Sequence, residues 1–167
     1  MIISVNKVKN IPAKTIEVEI QSELDKSRID DSIRLVQPVL FSGKVENTGK
    51  ILVIRGEIKS VVEAECCRCT EIVSYPIKAN FCEAFSNYPE IVESKTEDEI
   101  HLFTGDEIDI TQEVVQALLL ELPMKLLCKE KCKGLCPRCG KNLNYGNCNC
   151  TDDNIDPRLM VLKKFEV

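Results

Sequence analysis

The chain has 167 residues, of which 44% are hydrophobic and 29% charged, and its formal net charge is −5. This length fits one domain, or one domain with a small appendage, and is enough to bury a core. No apolar run approaches the roughly 20 residues of a membrane-spanning helix, and the N-terminus lacks the apolar core of a signal peptide. We therefore expect a cytoplasmic protein with reduced thiols, so its ten cysteines favour metal binding over disulfides.

The N-terminal part of the chain predicts β-strands. Residues 15–21 alternate apolar and polar side chains, which is typical of a half-buried strand. The charged residues 25–31 predict a short helix or a loop, and residues 39–45 predict a second strand. Because Asn and Gly tolerate positive φ, the Asn-Thr-Gly sequence at 47–49 indicates a hairpin turn after that strand.

Two longer strands flank the first group of cysteines. Residues 51–65 predict a third strand, in which Gly56 indicates a β-bulge. Residues 72–85 predict a fourth, and Pro76 places that part of the strand at a sheet edge or a bulge. Together the strands form an antiparallel meander, with the Cys66–Cys69 motif at a hairpin tip.

Residues 86–106 predict an acidic loop. It contains the single histidine of the chain, His101, which we interpret as a surface or core residue rather than a metal ligand. The sequence has no Gly-rich phosphate loop and no Ser-His-Asp set, and one histidine makes a histidine-based hydrolase improbable. We therefore expect a protein that is not an enzyme.

One clear helix is predicted next, with Asp109 or Thr111 as its N-terminal cap. Its apolar face repeats at i, i+3, i+4 and i+7 through Val115, Leu118, Leu119 and Leu122. Pro123 ends it. We expect this helix to lie mostly buried against the sheet. A short final helix is predicted at 155–159, with Pro157 at its first position.

Eight cysteines form four closely spaced pairs. A structural zinc ion takes four ligands, commonly as two pairs from two tight turns. The most economical assignment makes two Zn²⁺ sites, because each site then combines two pairs. Site one is Cys136, Cys139, Cys148 and Cys150. Site two is Cys66, Cys69, Cys128 and Cys132, and it would join the hairpin tip to the end of the helix.

Two cysteines remain outside these pairs. Cys82 lies in an apolar strand and is interpreted as a small hydrophobic residue. Cys67 stays open as an alternative to Cys66, although a single intervening residue makes a poorer turn. Two other chemistries also remain open, a thiol redox or thiol-sensing protein that uses its C-x-x-C pairs and an iron–sulfur cluster.

The basic residues concentrate around the cysteines. Residues 124–145 contain six basic residues and one acidic residue, a charge of +5, whereas the remaining 16 basic and 26 acidic residues sum to −10. A local cationic patch can bind phosphates although the rest of the chain is anionic. The predicted nucleic-acid contacts are Lys129, Lys131, Lys133, Arg138 and Lys141, which we call the basic surface. Alternatively, these side chains keep the segment soluble and support its thiolates.

Several motifs resemble those of the YceD family, the large ribosomal RNA subunit accumulation proteins. They are CRCTE at 67–71, GDEIDIT at 105–111, LELPMKLLC at the helix end, CKGLCPRCGKNLN, CNC, and IDPRL near the C-terminus. The resemblance implies metal binding by the eight paired cysteines, contact with nucleic acid, and a part in the accumulation of large-subunit ribosomal RNA. The doubled Cys66-Cys67 and the additional Cys82 depart from the pattern of the family.

These observations combine into one expectation. The fold is predicted to be α+β, with an antiparallel sheet and one main buried helix over residues 1–123, and a Cys-rich, zinc-ribbon-like segment over 124–167. The function is predicted to be a zinc-binding factor in ribosome biogenesis that contacts large-subunit ribosomal RNA or a large-subunit ribosomal protein, with neither a membrane nor a small-molecule substrate. A protein-interaction module that docks through its acidic face, without RNA contact, is the remaining alternative.

Overall fold

The computed structural model describes residues 1–24, 33–94 and 100–150, and these residues fold mainly as β-structure. The strands are β1 (Ile2–Ser4), β2 (Thr15–Ser22), β3 (Ile33–Leu35), β4 (Val39–Asn47), β5 (Leu52–Glu65), β6 (Ile72–Ser86), β7 (Ile100–Leu102) and β8 (Glu107–Asp109). The helices of the described ranges are α1 (Pro89–Ser94) and α2 (Thr111–Leu120). The elements predicted at 25–31 and 155–159 lie outside the described residues.

The main sheet has the strand order β2-β4-β5-β6-β7, and β3 pairs with β5 beyond the end of β4. The pairs are antiparallel except β6 with β7, which is parallel. The hairpin of β5 and β6 runs in register from Leu52 opposite Phe85 to Glu65 opposite Ile72. The four predicted strands and the hairpin tip are therefore confirmed, and the tip carries the first cysteines away from the centre of the sheet.

Side chains of β5 alternate strictly between the core and the outer face. Buried Ile54, Ile58 and Val62 follow the two-residue period of a strand with one buried face. The predicted bulge at Gly56 is wrong, because Gly56 pairs directly with Gly43 of β4 in an unbroken register. A Cβ atom on Gly56 would lie 2.8 Å from the Cα atom of Gly43. The two glycines therefore let the strands approach each other closely.

The predicted α+β class is wrong, because the described structure is 44% strand and 11% helical and its sheet curls into a half-barrel. Helix α2 has only ten residues, and it buries Val114 and Leu118 rather than a wide face. Leu119 is 38% exposed and Leu120 is 80% exposed. Helix α2 is therefore less buried than the i, i+3, i+4 spacing of its apolar residues predicted. The predicted N-terminal cap is wrong, because Ile110 takes the N-cap position and no side chain caps the helix. Asp109 lies one residue earlier, where its carboxylate accepts a hydrogen bond from the amide of Thr111 at 3.0 Å.

Strands β1 and β8, which are far apart in the sequence, pack into the main core that helix α2 was expected to cover. Ile3 of β1 and Ile108 of β8 lie opposite each other in a two-stranded antiparallel ribbon, and both are buried in the main core. Val5 and Val8, which follow β1, are also fully buried. This ribbon joins residues more than 100 positions apart, so it was not predictable from local periodicity.

The stretch predicted as an acidic loop, 86–106, contains both α1 and β7. Strand β7 pairs with β6 only over Ala84–Ser86, so β5 is the only described strand partner of β6 at Pro76, and the predicted edge position is confirmed. His101 lies on β7, with its Nε2 atom 3.3 Å from Glu83, and it belongs to neither group of clustered cysteines in the described chain. Within the described ranges, no helix is long and apolar enough to cross a membrane.

Candidate metal centres

The hairpin tip between β5 and β6 folds into a tight turn around Cys66 and Cys69. The amide of Cys66 donates to the carbonyl of Glu71 at 2.8 Å, and the amide of Thr70 donates back to the carbonyl of Cys66 at 2.9 Å. Thr70 has a φ of 59°, a left-handed conformation that costs an L-residue roughly 1–2 kcal/mol. The turn therefore maintains a strained residue immediately after its second cysteine.

An equivalent turn surrounds Cys136 and Cys139. The amide of Cys136 donates to the carbonyl of Lys141 at 2.9 Å, and the amide of Gly140 donates to the carbonyl of Cys136 at 2.9 Å. Gly140 takes the position of Thr70, with a φ of 69°, where glycine has no steric penalty. In both turns the amides that follow the first cysteine face its sulfur, which suits a metal-bound thiolate.

Site two brings together the four sulfurs predicted from the sequence. The Sγ atoms of Cys66, Cys69, Cys128 and Cys132 all lie within 4.8 Å of one another. The Cys66–Cys132 and Cys69–Cys128 sulfur distances are 3.9 Å and 3.5 Å. A tetrahedral zinc ion with Zn–S bonds of about 2.3 Å separates its sulfurs by about 3.8 Å, whereas a disulfide needs about 2.05 Å. The spacing therefore fits four ligands around one ion and does not fit a bonded pair.

Site two is closed to solvent. Cys66, Cys69 and Cys132 are 1%, 2% and 3% exposed, and Cys128 is half-buried. Apolar side chains of Val73, Leu127 and Leu135 pack around the cysteines and form a second, smaller core. A buried set of four thiolate ligands with no open position is typical of a structural metal site.

The thiols of site two have opposed proton affinities. Burial opposes ionisation of Cys66, but the backbone amide of Arg68 and those of two cluster cysteines donate to its sulfur and lower its pKa to about 6. The side-chain amide of Asn144, 3.3 Å from the sulfur of Cys132, is the main cause of the lowered pKa of that thiol. The amide two residues after Cys69 favours its thiolate, yet burial and the neighbouring sulfurs raise its pKa to about 12. Four ionised sulfurs at this spacing therefore require a cation among them.

Site one has the same number of sulfurs in a more open setting. The Sγ atoms of Cys136, Cys139, Cys148 and Cys150 also lie within 4.8 Å of one another. Cys136 is buried, Cys148 is half-buried, and the other two are exposed. The backbone amides of Cys139 and Arg138 donate to the Cys136 sulfur and lower its pKa to about 6. The neighbouring sulfurs, that of Cys139 above all, raise the pKa of Cys150 to about 12.

Arg68 connects the two sites. Its guanidinium donates to the carbonyl of Cys132 at 2.8 Å, within site two. Its own carbonyl accepts a hydrogen bond at 3.0 Å from the amide of Leu135, the residue before Cys136 of site one. The amide of Cys67 also donates to the carbonyl of Leu126 at 2.9 Å. The hairpin tip therefore holds the chain that enters both sites.

The two unpaired cysteines lie outside the sulfur clusters. The structure places Cys66 in site two and leaves the neighbouring Cys67 side chain exposed. Cys82 was interpreted as a small hydrophobic residue, but its side chain is exposed, opposite Arg55 of β5. Cys82 lies on the outer face of the sheet, which the apolar character of the surrounding strand did not reveal.

The five residues of the basic surface are all exposed. Several belong to the cysteine loops themselves, since Lys131 and Lys133 flank Cys132 and Lys141 follows the turn at Cys139. The ammonium group of Lys141 donates to the carbonyl of Asn147 at 2.9 Å, between the two cysteine pairs of site one. The backbone of the cysteine loops therefore fixes where these side chains leave the chain.

Sequence reasoning missed Arg68 and Asn144, which position the sulfurs without ligating a metal. A shared pattern could have identified Arg68, because the turns read Cys66-Cys67-Arg68-Cys69 and Cys136-Pro137-Arg138-Cys139. Asn144 carries no comparable signal, because its role depends on a fold that brings it next to Cys132.

Comparison with known proteins identifies the family. Residues 54–166, from within β5 nearly to the C-terminus, match the family described as Large ribosomal RNA subunit accumulation protein YceD. The chain belongs to the YceD family. The match includes all eight clustered cysteines and the basic surface, so the resemblance stated from the motifs is confirmed.

Individual YceD relatives vary in length. The uncharacterized protein YlbN of Bacillus subtilis is 27% identical over 165 residues, which cover 97% of this chain and 94% of YlbN. An uncharacterized protein of Mycobacterium tuberculosis is 32% identical over 117 residues, covering 69% of this chain and 56% of its own. The chloroplastic YCED homolog 1 of Zea mays, named a large ribosomal RNA subunit accumulation protein, is 28% identical over 149 residues, 71% of this chain and 50% of its own. The chain thus spans about half the length of these last two relatives. No solved structure matches the chain.

Proposed function

We propose that this YceD protein is a zinc-binding, non-enzymatic factor that promotes the accumulation of large-subunit ribosomal RNA by binding that RNA. The observation that carries the proposal is that the basic surface lies in residues 128–150, which also supply six of the eight cysteines of the two Cys₄ clusters. The names of the plant relatives, which refer to large ribosomal RNA subunit accumulation, support the process.

The donor set favours zinc. Each cluster offers four sulfur atoms, and thiolate donors select soft or borderline ions over Mg²⁺ or Ca²⁺. With four protein ligands, neither site has a coordination position left for a substrate or an activated water, so the metal would stabilise the loops rather than take part in chemistry. Site two would be held by Cys66, Cys69, Cys128 and Cys132, and site one by Cys136, Cys139, Cys148 and Cys150.

The charge distribution favours RNA at the basic surface. Residues 124–145 carry +5, whereas the rest of the chain carries −10. A polyanion is therefore attracted to this segment and repelled by the rest of the protein. The turns at Cys132 and Cys139 fix the backbone at Lys133 and Lys141, so these cations extend from an ordered loop rather than from a free tail. Ordered cations lose less conformational entropy when they bind phosphates.

The proposal is tested by neutralising the basic surface. Replacing its five residues with glutamine is expected to weaken binding to large-subunit ribosomal RNA and to reduce the slope of log K against log salt by about 3.5 to 4.5 if all five contact phosphates, since each lost phosphate contact removes roughly 0.7 to 0.9. A matched variant neutralises five exposed cations elsewhere, namely Lys7, Lys44, Lys50, Arg55 and Lys78. It makes the same change in net charge and is expected to retain most of the affinity and slope.

Two results would contradict the proposal. In the first, the basic-surface variant and the control variant bind RNA with the same affinity and salt dependence. Binding would then depend on net charge and not on the position of the five cations. In the second, the unsubstituted protein retains a large-subunit ribosomal protein but no ribosomal RNA in a pull-down, which would favour the protein-interaction alternative.

A further inference from the structure

Tyr145 presents an aromatic ring to solvent beside the basic surface. It lies in the loop between Lys141 and Cys148, and the residue is 79% exposed. A large aromatic side chain loses favourable apolar burial when it remains in water. An exposed ring between two halves of a metal-binding loop is therefore a candidate contact surface rather than part of a core.

The ring is held in place from both ends. Its hydroxyl donates to a carboxylate oxygen of Glu71, on the hairpin tip that carries site two. Its backbone amide donates to the carbonyl of Asn142 at 3.3 Å, and the next residue back, Asn144, donates its amide to the side chain of Asn142 at 2.9 Å. Tyr145 therefore extends from the site-one loop to the site-two turn and remains largely exposed.

Hydrogen bonds connect the loop of Tyr145 to two residues of the basic surface. The amide of Lys133 donates to the side-chain oxygen of Asn144 at 3.0 Å, and the side-chain nitrogen of Asn144 lies 3.3 Å from the Cys132 sulfur. The ammonium group of Lys141 donates to the carbonyl of Asn147, two residues after Tyr145. An exposed aromatic ring in a loop that also carries exposed cations has the composition of a site for single-stranded nucleic acid.

We propose that Tyr145 is a stacking platform for an unpaired base, and that the protein consequently prefers single-stranded RNA to duplex RNA. The inference rests on the proposed function, because it specifies which RNA the basic surface takes. A base stacks on an aromatic side chain only when its own face is free, which is the case in loops, bulges and ends but not within a helix. The cations of the basic surface neutralise phosphates of the bound strand.

The competing explanation is that Tyr145 only fastens the two turns through its bond to Glu71. Tyr145→Phe separates the two roles, because it removes the hydroxyl and keeps the ring. Tyr145→Leu removes the ring face and keeps an apolar side chain. Each variant is checked for unchanged metal content and thermal midpoint before its affinity is measured.

The experiment compares an unstructured RNA oligonucleotide with a perfect duplex of the same sequence. Tyr145→Leu is expected to lose about tenfold in affinity for the unpaired RNA and little for the duplex, while Tyr145→Phe binds both as the unsubstituted protein does. The stacking inference would be overturned if Tyr145→Leu bound each of the two RNAs with the same affinity as the unsubstituted protein. That result would leave the basic surface intact as the RNA site, whereas failure of the glutamine variant to lose affinity would reject the RNA proposal itself.

A spectroscopic variant provides a second, direct measurement. The chain contains no tryptophan, so Tyr145→Trp introduces a single fluorophore at the proposed platform. Addition of unpaired RNA is expected to quench its fluorescence, because the indole stacks on a base. Binding without quenching would place the base elsewhere and overturn the inference.

Discussion

Cys66→Ser is expected to destabilise the protein by about 4 kcal/mol or more, the range associated with the loss of a structural metal or a buried network. Cys148→Ser is expected to cost only about 1–2 kcal/mol. Both variants remove one sulfur from a Cys₄ cluster, but Cys66 is 1% exposed and Cys148 is half-buried. The difference in expected stability therefore comes from where each sulfur lies.

The position of Cys66 explains its larger effect. Site two joins the β5–β6 hairpin to Cys128 and Cys132, which lie about 60 residues further along the chain. Its loss leaves buried sulfurs without a cation, and it frees the turn that Arg68 uses to contact Leu135. Site one closes only a short loop between Cys136 and Cys150, so its loss affects few long-range contacts.

Chemical unfolding under reducing conditions measures this difference. Cys82→Ser is the matched control, because Cys82 is exposed and outside both clusters, and it is expected to change stability by less than about 0.5 kcal/mol. Equal losses for Cys66→Ser and Cys148→Ser would refute the division into one structural and one local site.

Removal of the metal is expected to loosen one end of the protein and leave the other folded. The structure contains two separate cores, a main apolar core within the sheet and a smaller one around the sulfurs of site two. Fully buried Phe41, Ile54 and Ile58 stabilise the main core without any contribution from a metal. The smaller core consists largely of cysteines, and without a cation it lacks the four sulfur–metal bonds that would hold these cysteines together.

Hydrogen exchange after chelation under reducing conditions tests this expectation residue by residue. The amides of Cys67 and Leu135, which bond to Leu126 and Arg68, should lose protection. The amides that pair β4 with β5 should keep it. Protection that is lost throughout the sheet would show that the two cores fold as one unit. Protection that is retained everywhere would show that no metal stabilises the hairpin tip.

The strands of the central sheet were predictable because the signals that indicate them, alternating side chains and a turn motif, lie within short stretches of sequence. Residues of β4, β5 and β6 alternate with the two-residue period, and Asn47 with Gly49 marks the turn between β4 and β5, where the amide of Gly49 donates to the Asn47 side chain at 2.7 Å. The ribbon of β1 and β8 was not predictable, because each strand has three residues and its partner lies more than 100 positions away. Helix α2 was overestimated because leucines at helical spacing indicate an apolar face without showing that anything covers it.

The cysteine pairs were predictable for a different reason. Their spacing of one to three residues is set by the short turns that a four-ligand site requires, so chemistry restricts the possible combinations before the fold is known. The structure brings together the same two groups of four sulfurs. The residues that orient these sulfurs, Arg68 and Asn144, depend on contacts between distant segments, and no local pattern restricted Asn144 at all.

Metal content per chain is the measurement that tests the account most directly. Elemental analysis of protein purified under reducing conditions is expected to give two zinc ions per chain, and one ion for either Cys66→Ser or Cys148→Ser. A protein that contains no stoichiometric zinc, and whose cysteines all titrate as free thiols or cycle with an oxidant, would contradict the account and favour thiol chemistry instead.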